Sequence, residues 1–136
     1  MANQLFIFNA LKPILDYENE QQCYEDRRNH RELWYELIRA YNSKDRARLA
    51  RQLFKTADVY VGIRDEEELA AARAAGLFDA LIWVDANERL PVESTSSCRV
   101  GPEDADFILD NNGPAEALHT NIANMMAWFQ RVRPSS

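Results

Sequence analysis

The feature that most constrains this chain is a double change of hydrophobic period between residues 58 and 84. Val59-Tyr60-Val61-Gly62-Ile63 is β-branched and apolar, as a buried strand would be, and it stops at Arg64-Asp65. Asp65 with Glu68 three residues on is a helix start signal, and the helical stretch reaches Arg73-Ala74-Ala75 and ends at Gly76, the residue suited to a left-handed cap. Ala80-Leu81-Ile82-Trp83-Val84 is a second apolar run. Strand, short helix and strand in this order predict a right-handed βαβ unit over about 58–85 with parallel strands.

The flanks extend the same plan. Leu5-Phe6-Ile7-Phe8 is a short apolar run closed by Asn9 and Pro13, which predicts a buried strand entering a loop. From Glu20 the spacing is helical. Leu33, Leu37 and Tyr41 form an apolar stripe beside Trp34 and Ile38, opposite Arg27, Arg28, Arg31 and Glu32. Asn42-Ser43 ends that helix, Ser43 is the expected cap of the next, and Ala47, Ala50, Leu53 and Phe54 give it a buried face, so 20–56 reads as a helical hairpin. Residues 86–104 are polar, carry Pro91, Ser94-Thr95-Ser96-Ser97, Gly101 and Pro102, and predict a long loop of the kind that tends to be functional. Phe107-Ile108-Leu109 is a third short strand signal; Asp110-Asn111-Asn112-Gly113-Pro114 turns it into a helix with Leu118, Ile122, Met125, Phe129 and Val132 on one side. The closing strand and helix span 106–132. The fold class expected is α/β: one domain over 1–136, with a small parallel sheet of about four strands, a helical hairpin and a C-terminal helix packed on the sheet.

Composition narrows the function classes. At 136 residues, 46% of them apolar, the chain has material for one core. No run approaches the roughly 18 apolar residues of a membrane span, and no leader pattern opens the chain, so a cytoplasmic protein without membrane partners is expected. Cys23, Cys98, His30 and His119 stand apart from one another, which argues against a metal site and favours reduced thiols. No cofactor is implied. The net charge of −6 argues against nucleic acid as a partner. The charge is uneven, however: residues 24–55 hold nine Lys/Arg against five Asp/Glu, a balance of +4, leaving −10 elsewhere. Arg27, Arg28 and Arg31 therefore form either a solvated face laced with ion pairs or an anion site.

Parallel α/β sheets bind ligands outside the carboxyl ends of their strands, where loop amides and helix N-termini converge. The polar residues expected there are Asn9, Arg64 with Asp65, Asp85, and Asp110 with Asn111 and Asn112. Arg64 offers a bidentate fork for phosphate or carboxylate, with pairing to an acidic neighbour such as Asp85 as the alternative. Asp85 and the Asp110-Asn111-Asn112-Gly113 run are equally good turn formers. No serine sits in a glycine elbow, and neither histidine has an acidic partner evident in sequence. The four glycines, at 62, 76, 101 and 113, cannot frame a phosphate-cradling loop, and G-x-x-x-x-G-K-[ST] is absent.

The order of these motifs resembles the rear half of phage deoxynucleoside monophosphate kinases. The stretch from Ala57 through Val59-Tyr60-Val61-Gly62-Ile63-Arg64-Asp65 to Leu69 is similar to their strand, arginine and acidic helix. Ile82-Trp83-Val84-Asp85-Ala86 looks like the next core strand, and Arg89 falls where those kinases place a basic residue of the lid. Ala105 to Gly113, followed by Ala115-Glu116-Ala117-Leu118, is similar to their closing strand and helix and to those of dephospho-coenzyme A kinases. Phe8-Asn9-Ala10-Leu11-Lys12-Pro13, Asp26-Arg27-Arg28-Asn29-His30-Arg31 and the Asp-Asn-Asn-Gly turn together resemble small proteins of tailed phages and prophages. The resemblance implies a nucleotide or other phosphorylated small molecule as ligand, held by Arg64, Asp65, Asp85, Arg89, Asn9, Asp110 and Asn111, in a host cell cytoplasm. Without a phosphate loop, and with only Arg89 and Arg99 in the long loop, it implies no stand-alone ATP-dependent kinase and no catalytic residue. A kinase fragment is one alternative. Another is a small interaction protein or homodimer presenting Trp34 or Trp128 in an exposed apolar patch.

Overall fold

The computed structural model describes residues 2–133. They combine helix and sheet: α1 (Ala2–Leu15), α2 (Glu20–Glu25), α3 (Arg31–Tyr41), α4 (Arg48–Leu53), α5 (Glu66–Ala74), β1 (Ile82–Asp85), β2 (Phe107–Asp110) and α6 (Ala115–Val132). The chain gathers into two compact units. One comprises the chain up to Leu77 together with Ser94–Arg99; the other comprises Phe78–Glu93 and the chain from Val100 onward.

The first unit is helical among its described residues. Its core is Ile7, Leu11, Tyr17, Cys23 and Trp34, with Phe8, Leu15, Tyr24, Leu37 and Ile38 packed against it. The strand expected at Leu5-Phe6-Ile7-Phe8 is instead part of α1, and Asn9 is an exposed helical residue rather than the end of a strand. The reason lies in the spacing beyond the run. Ile7 and Leu11 are i and i+4, both almost fully buried, whereas Leu5 and Phe6 are exposed. A four-residue apolar run does not by itself distinguish strand from helix. Asp16, at φ 52°, turns the chain out of α1.

The expected helix from Glu20 is broken at His30, between a 3₁₀ turn over Asp26–Asn29 and α3. The next helix begins at Arg48 rather than after Ser43, and the buried Asn42 Oδ1 accepts the Leu49 N–H at 3.0 Å. Trp34, set beside the apolar stripe by its spacing and required to be exposed only by the interaction-protein alternative, is buried in the core.

The Asp65 signal is realised. Its side chain caps α5 by accepting the Glu67 N–H at 3.2 Å. At the other end Gly76 has φ 64°, and the Gly76 N–H to Arg73 and Leu77 N–H to Ala72 bonds close a Schellman motif. The strand expected before α5 is not formed: Gly62 has φ 91°, which interrupts an extended run, and Val59 and Val61 are exposed. Of the βαβ unit over 58–85, the helix and the second strand are formed, as α5 and β1, and an irregular segment stands in place of the first strand.

The second unit holds the sheet, which among the described residues has two parallel strands rather than about four. The register pairs Ile82 with Phe107, Trp83 with Ile108, Val84 with Leu109 and Asp85 with Asp110. Parallel neighbours need a long connection, and here it is the 86–106 segment with its 3₁₀ turn over Pro102–Asp104. Helix α6 starts after Pro114 and packs on β2, with the Phe107 and Trp128 rings 5.0 Å apart.

Candidate functional site

In the first unit, Asp26 organises the amino end of α3. It accepts hydrogen bonds from Tyr17 Oη at 2.7 Å and Asn29 Nδ2 at 2.6 Å, and its Oδ2 lies 3.1 Å from His30 Nε2. The bonds from Asn29 and Tyr17 hold the Asp26 carboxyl below its ordinary pKa; burial, followed by the hydrogen bond to Asp26, pushes the Tyr17 hydroxyl up to about 12. Asp26 thus remains a carboxylate that fixes the His30 ring. His30 is also the N-cap of α3, and its side chain makes no capping bond.

A helix has no internal acceptor for its first-turn amides, and its dipole favours an anion at that end. At the start of α3 there is an open concavity of about 410 Å³ lined by Arg28, Asn29, His30, Arg31, Glu32 and Leu33. Arg28 is exposed. Glu32, the acidic member, is occupied: Ser96 Oγ donates to its carboxylate, and Ser94 and Ser96 are bonded to one another at 2.7 Å. Arg27 does not line the concavity. Its guanidinium lies 3.8 Å from the Tyr24 ring centre and donates to the Tyr24 carbonyl at 2.8 Å. Of the three arginines singled out by charge, Arg28 and Arg31 line the concavity, and Arg27 packs on Tyr24.

A second polar cluster lies between α3 and α5. Asp65 Oδ2 is 3.5 Å from Arg39 Nε, and Glu67 is 3.4 Å from Arg39 Nη2 and 3.1 Å from Arg46 Nε. Glu68, only 1% exposed, accepts a 2.8 Å hydrogen bond from Tyr60 Oη. Burial raises the Glu68 carboxyl to about 7. The nearby Asp65 charge adds to the rise, while Tyr60 and the Asn42 side chain, whose amide nitrogen makes no hydrogen bond of ordinary geometry, oppose it. Burial likewise raises the Tyr60 and Tyr35 hydroxyls. Sequence reasoning used Glu68 only as a helix start signal. Its polar side chain on the buried face of α5, beside Leu69 and Ala72, was the available clue to this cluster.

The strand-end residues divide between the units. Arg64 is half-buried and its carbonyl accepts the Arg99 N–H at 2.8 Å; Asp65 is a buried cap. In the second unit Asp85, Arg89, Asp110 and Asn111 do come together at the carboxyl ends of β1 and β2. Arg89 Nε donates to the Asn111 carbonyl at 2.6 Å, the Asn111 N–H to the Asp85 carbonyl at 2.7 Å, and Asn112 Oδ1 accepts the Glu88 N–H at 2.9 Å. Asp85 Oδ1 accepts the Asn87 N–H at 3.1 Å, and Asp110 Oδ1 accepts both nitrogens of Asn112 at 2.9 Å. These side chains close the turns at the strand ends. No group of residues suited to a metal ion occurs among the described residues, and no helix there is long and apolar enough to cross a membrane.

Compared with known proteins, the chain matches no family model, no curated protein and no solved structure.

Proposed function

We propose that the protein binds a phosphorylated small molecule, with a nucleotide as the leading class, at the amino end of α3, and does not transfer phosphoryl groups by itself. The observation that carries this reading is the convergence of Arg28, Arg31 and an Asp26-held His30 on a helix start whose cap makes no side-chain bond. Phosphate suits such a place because it accepts several hydrogen bonds at once and complements the helix dipole. The reading agrees with the motif resemblance to phage nucleotide kinases and with the missing phosphate loop: a nucleotide-binding, kinase-like chain without the part that cradles a triphosphate.

Thermal shift tests it. Nucleoside monophosphates, pyrophosphate and inorganic phosphate are titrated against the wild type, Arg28→Ala/Arg31→Ala and Arg64→Ala. A rise in Tm that disappears in the double variant and shrinks with added salt is expected. No rise with any of the probes, or a rise untouched by the double variant, overturns the assignment; loss in Arg64→Ala alone moves the ligand to Arg64. ATP hydrolysis by the chain overturns the non-catalytic part.

A second reading, a small interaction protein or homodimer, draws on the second unit. Val84, Ile108, Met126 and Val132 are each about half exposed, and no residue of the 18-residue α6 is fully buried. Sedimentation across a hundredfold range of concentration is its test: a dimer supports it, and a monomer throughout removes the homodimer.

A further inference from the structure

Helix α5 buries two carboxyls one turn apart, Asp65 at its cap and Glu68 within it, and they are served unequally. Asp65 has Arg39 from α3. The groups acting on Glu68 are Tyr60, Asp65 and Asn42, none of them a cation. Several other charges around α5 are directed elsewhere. Glu67 takes Arg39 and Arg46, Glu66 faces Arg99 at 3.9 Å, Arg48 of α4 stacks on Tyr41, and Arg51 pairs with Asp45. Tyr35, on the α3 side, is buried and brings a hydroxyl rather than a charge.

Tyr60, the partner of Glu68, belongs to a weakly held segment. Outside helices and strands, no main-chain hydrogen bond among the described residues involves 58–63. Val59 is 71% and Val61 86% exposed, and Gly62 has positive φ. Tyr60 ties the segment to its neighbours, its hydroxyl on Glu68 and its ring set edge-on to Phe54 at 6.3 Å.

We propose that Glu68 is a proton-operated latch on residues 58–63: the protonated carboxyl anchors Tyr60 against α5, and loss of the proton releases the segment so that the carboxylate reaches water. The charged form is disfavoured because it would sit in a dry site beside Asp65 with no cation of its own. Local opening follows the cheapest route. The 58–63 segment lacks a hydrogen-bonded ladder and is tied at its ends by the Ala57 N–H to the Leu53 carbonyl and the Arg64 carbonyl to the Arg99 N–H, whereas α5 is internally bonded and buries Leu69 and Ala72. The sign follows from linkage. Closed, Glu68 holds its proton up to a pH of about 7; open, it returns to the ordinary carboxyl range, so closure is strongest in acid and weakens as pH rises through neutrality.

Limited chymotrypsin digestion with mass-spectrometric assignment tests the latch. Cleavage after Tyr60 is measured from pH 5.5 to 8.5 in the wild type and in Glu68→Gln, which keeps an acceptor for Tyr60 but does not titrate. The ratio of the two rates cancels the pH dependence of the protease. The ratio is expected to rise at least tenfold across the range, and Tyr60→Phe is expected to be cut rapidly even at pH 5.5. A flat ratio overturns the proposal. So does a parallel rise after Tyr41 in α3, which would mean that the whole unit opens. Should Glu68→Gln fail to fold, the wild-type ratio of cleavage after Tyr60 to cleavage after Tyr41 carries the same information: a rise with pH supports the latch, and constancy overturns it.

Discussion

The Tyr60 hydroxyl donates a 2.8 Å hydrogen bond to the Glu68 carboxyl, joining an irregular segment to the buried face of α5. The carboxyl belongs to a folded state that prefers it neutral, and this has a consequence for stability. Its folded pKa, about 7, lies above the ordinary 4.5, so stability is greatest below the ordinary value and is lost as pH rises towards the folded one. Between pH 5 and 8 the wild type is expected to lose up to roughly 3 kcal/mol of stability relative to Glu68→Gln, less where local opening relieves the penalty. Denaturant unfolding of both proteins at several pH values checks it; equal pH slopes would remove Glu68 as the cause.

Leu11 and Leu5 separate the helical reading of α1 from the strand reading. Leu11 is 2% exposed and Leu5 46%. Leu11→Ala is expected to cost about 2–5 kcal/mol through lost burial and a residual cavity, and Leu5→Ala less than about 1 kcal/mol. Equilibrium denaturation decides it, since comparable losses at the two positions would contradict the buried face assigned to α1.

Gly76 carries φ 64° with open space where a Cβ would sit. Gly76→Ala therefore meets backbone strain but no clash, and a cost of about 1 kcal/mol is expected. The checking measurement is Tm, with Gly76→Asn expected to fall between the two because asparagine tolerates this region better. An unchanged Tm in Gly76→Ala would argue against the Schellman ending of α5.

Asp65 caps α5 and faces Arg39. Asp65→Asn keeps an oxygen for the Glu67 N–H but removes the charge, whereas Asp65→Ala removes both. The alanine variant is expected to lose at least the 0.5–2 kcal/mol typical of a cap, with a further loss because Arg39 is left without its buried partner. Asp65→Asn should show chiefly the second loss. Equal stability of wild type and Asp65→Asn would mean that the Arg39 contact contributes nothing.

The sequence alone determined the elements whose signals are local. Asp65 and Gly76 marked the ends of α5, Asp110-Asn111-Asn112-Gly113-Pro114 marked the passage from β2 to α6, and the stripe at Leu33, Leu37 and Tyr41 marked α3, because a cap, a turn or a helical period is set by neighbours a few residues away. Tertiary structure decided the rest. Leu5-Phe6-Ile7-Phe8 became helix because Ile7 and Leu11 share one buried face, and Val59-Tyr60-Val61-Gly62-Ile63 stayed out of the sheet because strand pairing depends on a partner far along the chain. The candidate sites follow the same division. The charge count picked out Arg28 and Arg31, and the Asp26–His30 contact is local, at i and i+4; the pairing of Tyr60 with Glu68 exists only once the irregular segment has folded back on α5, since burial and proximity, not residue type, set the protonation of a carboxyl.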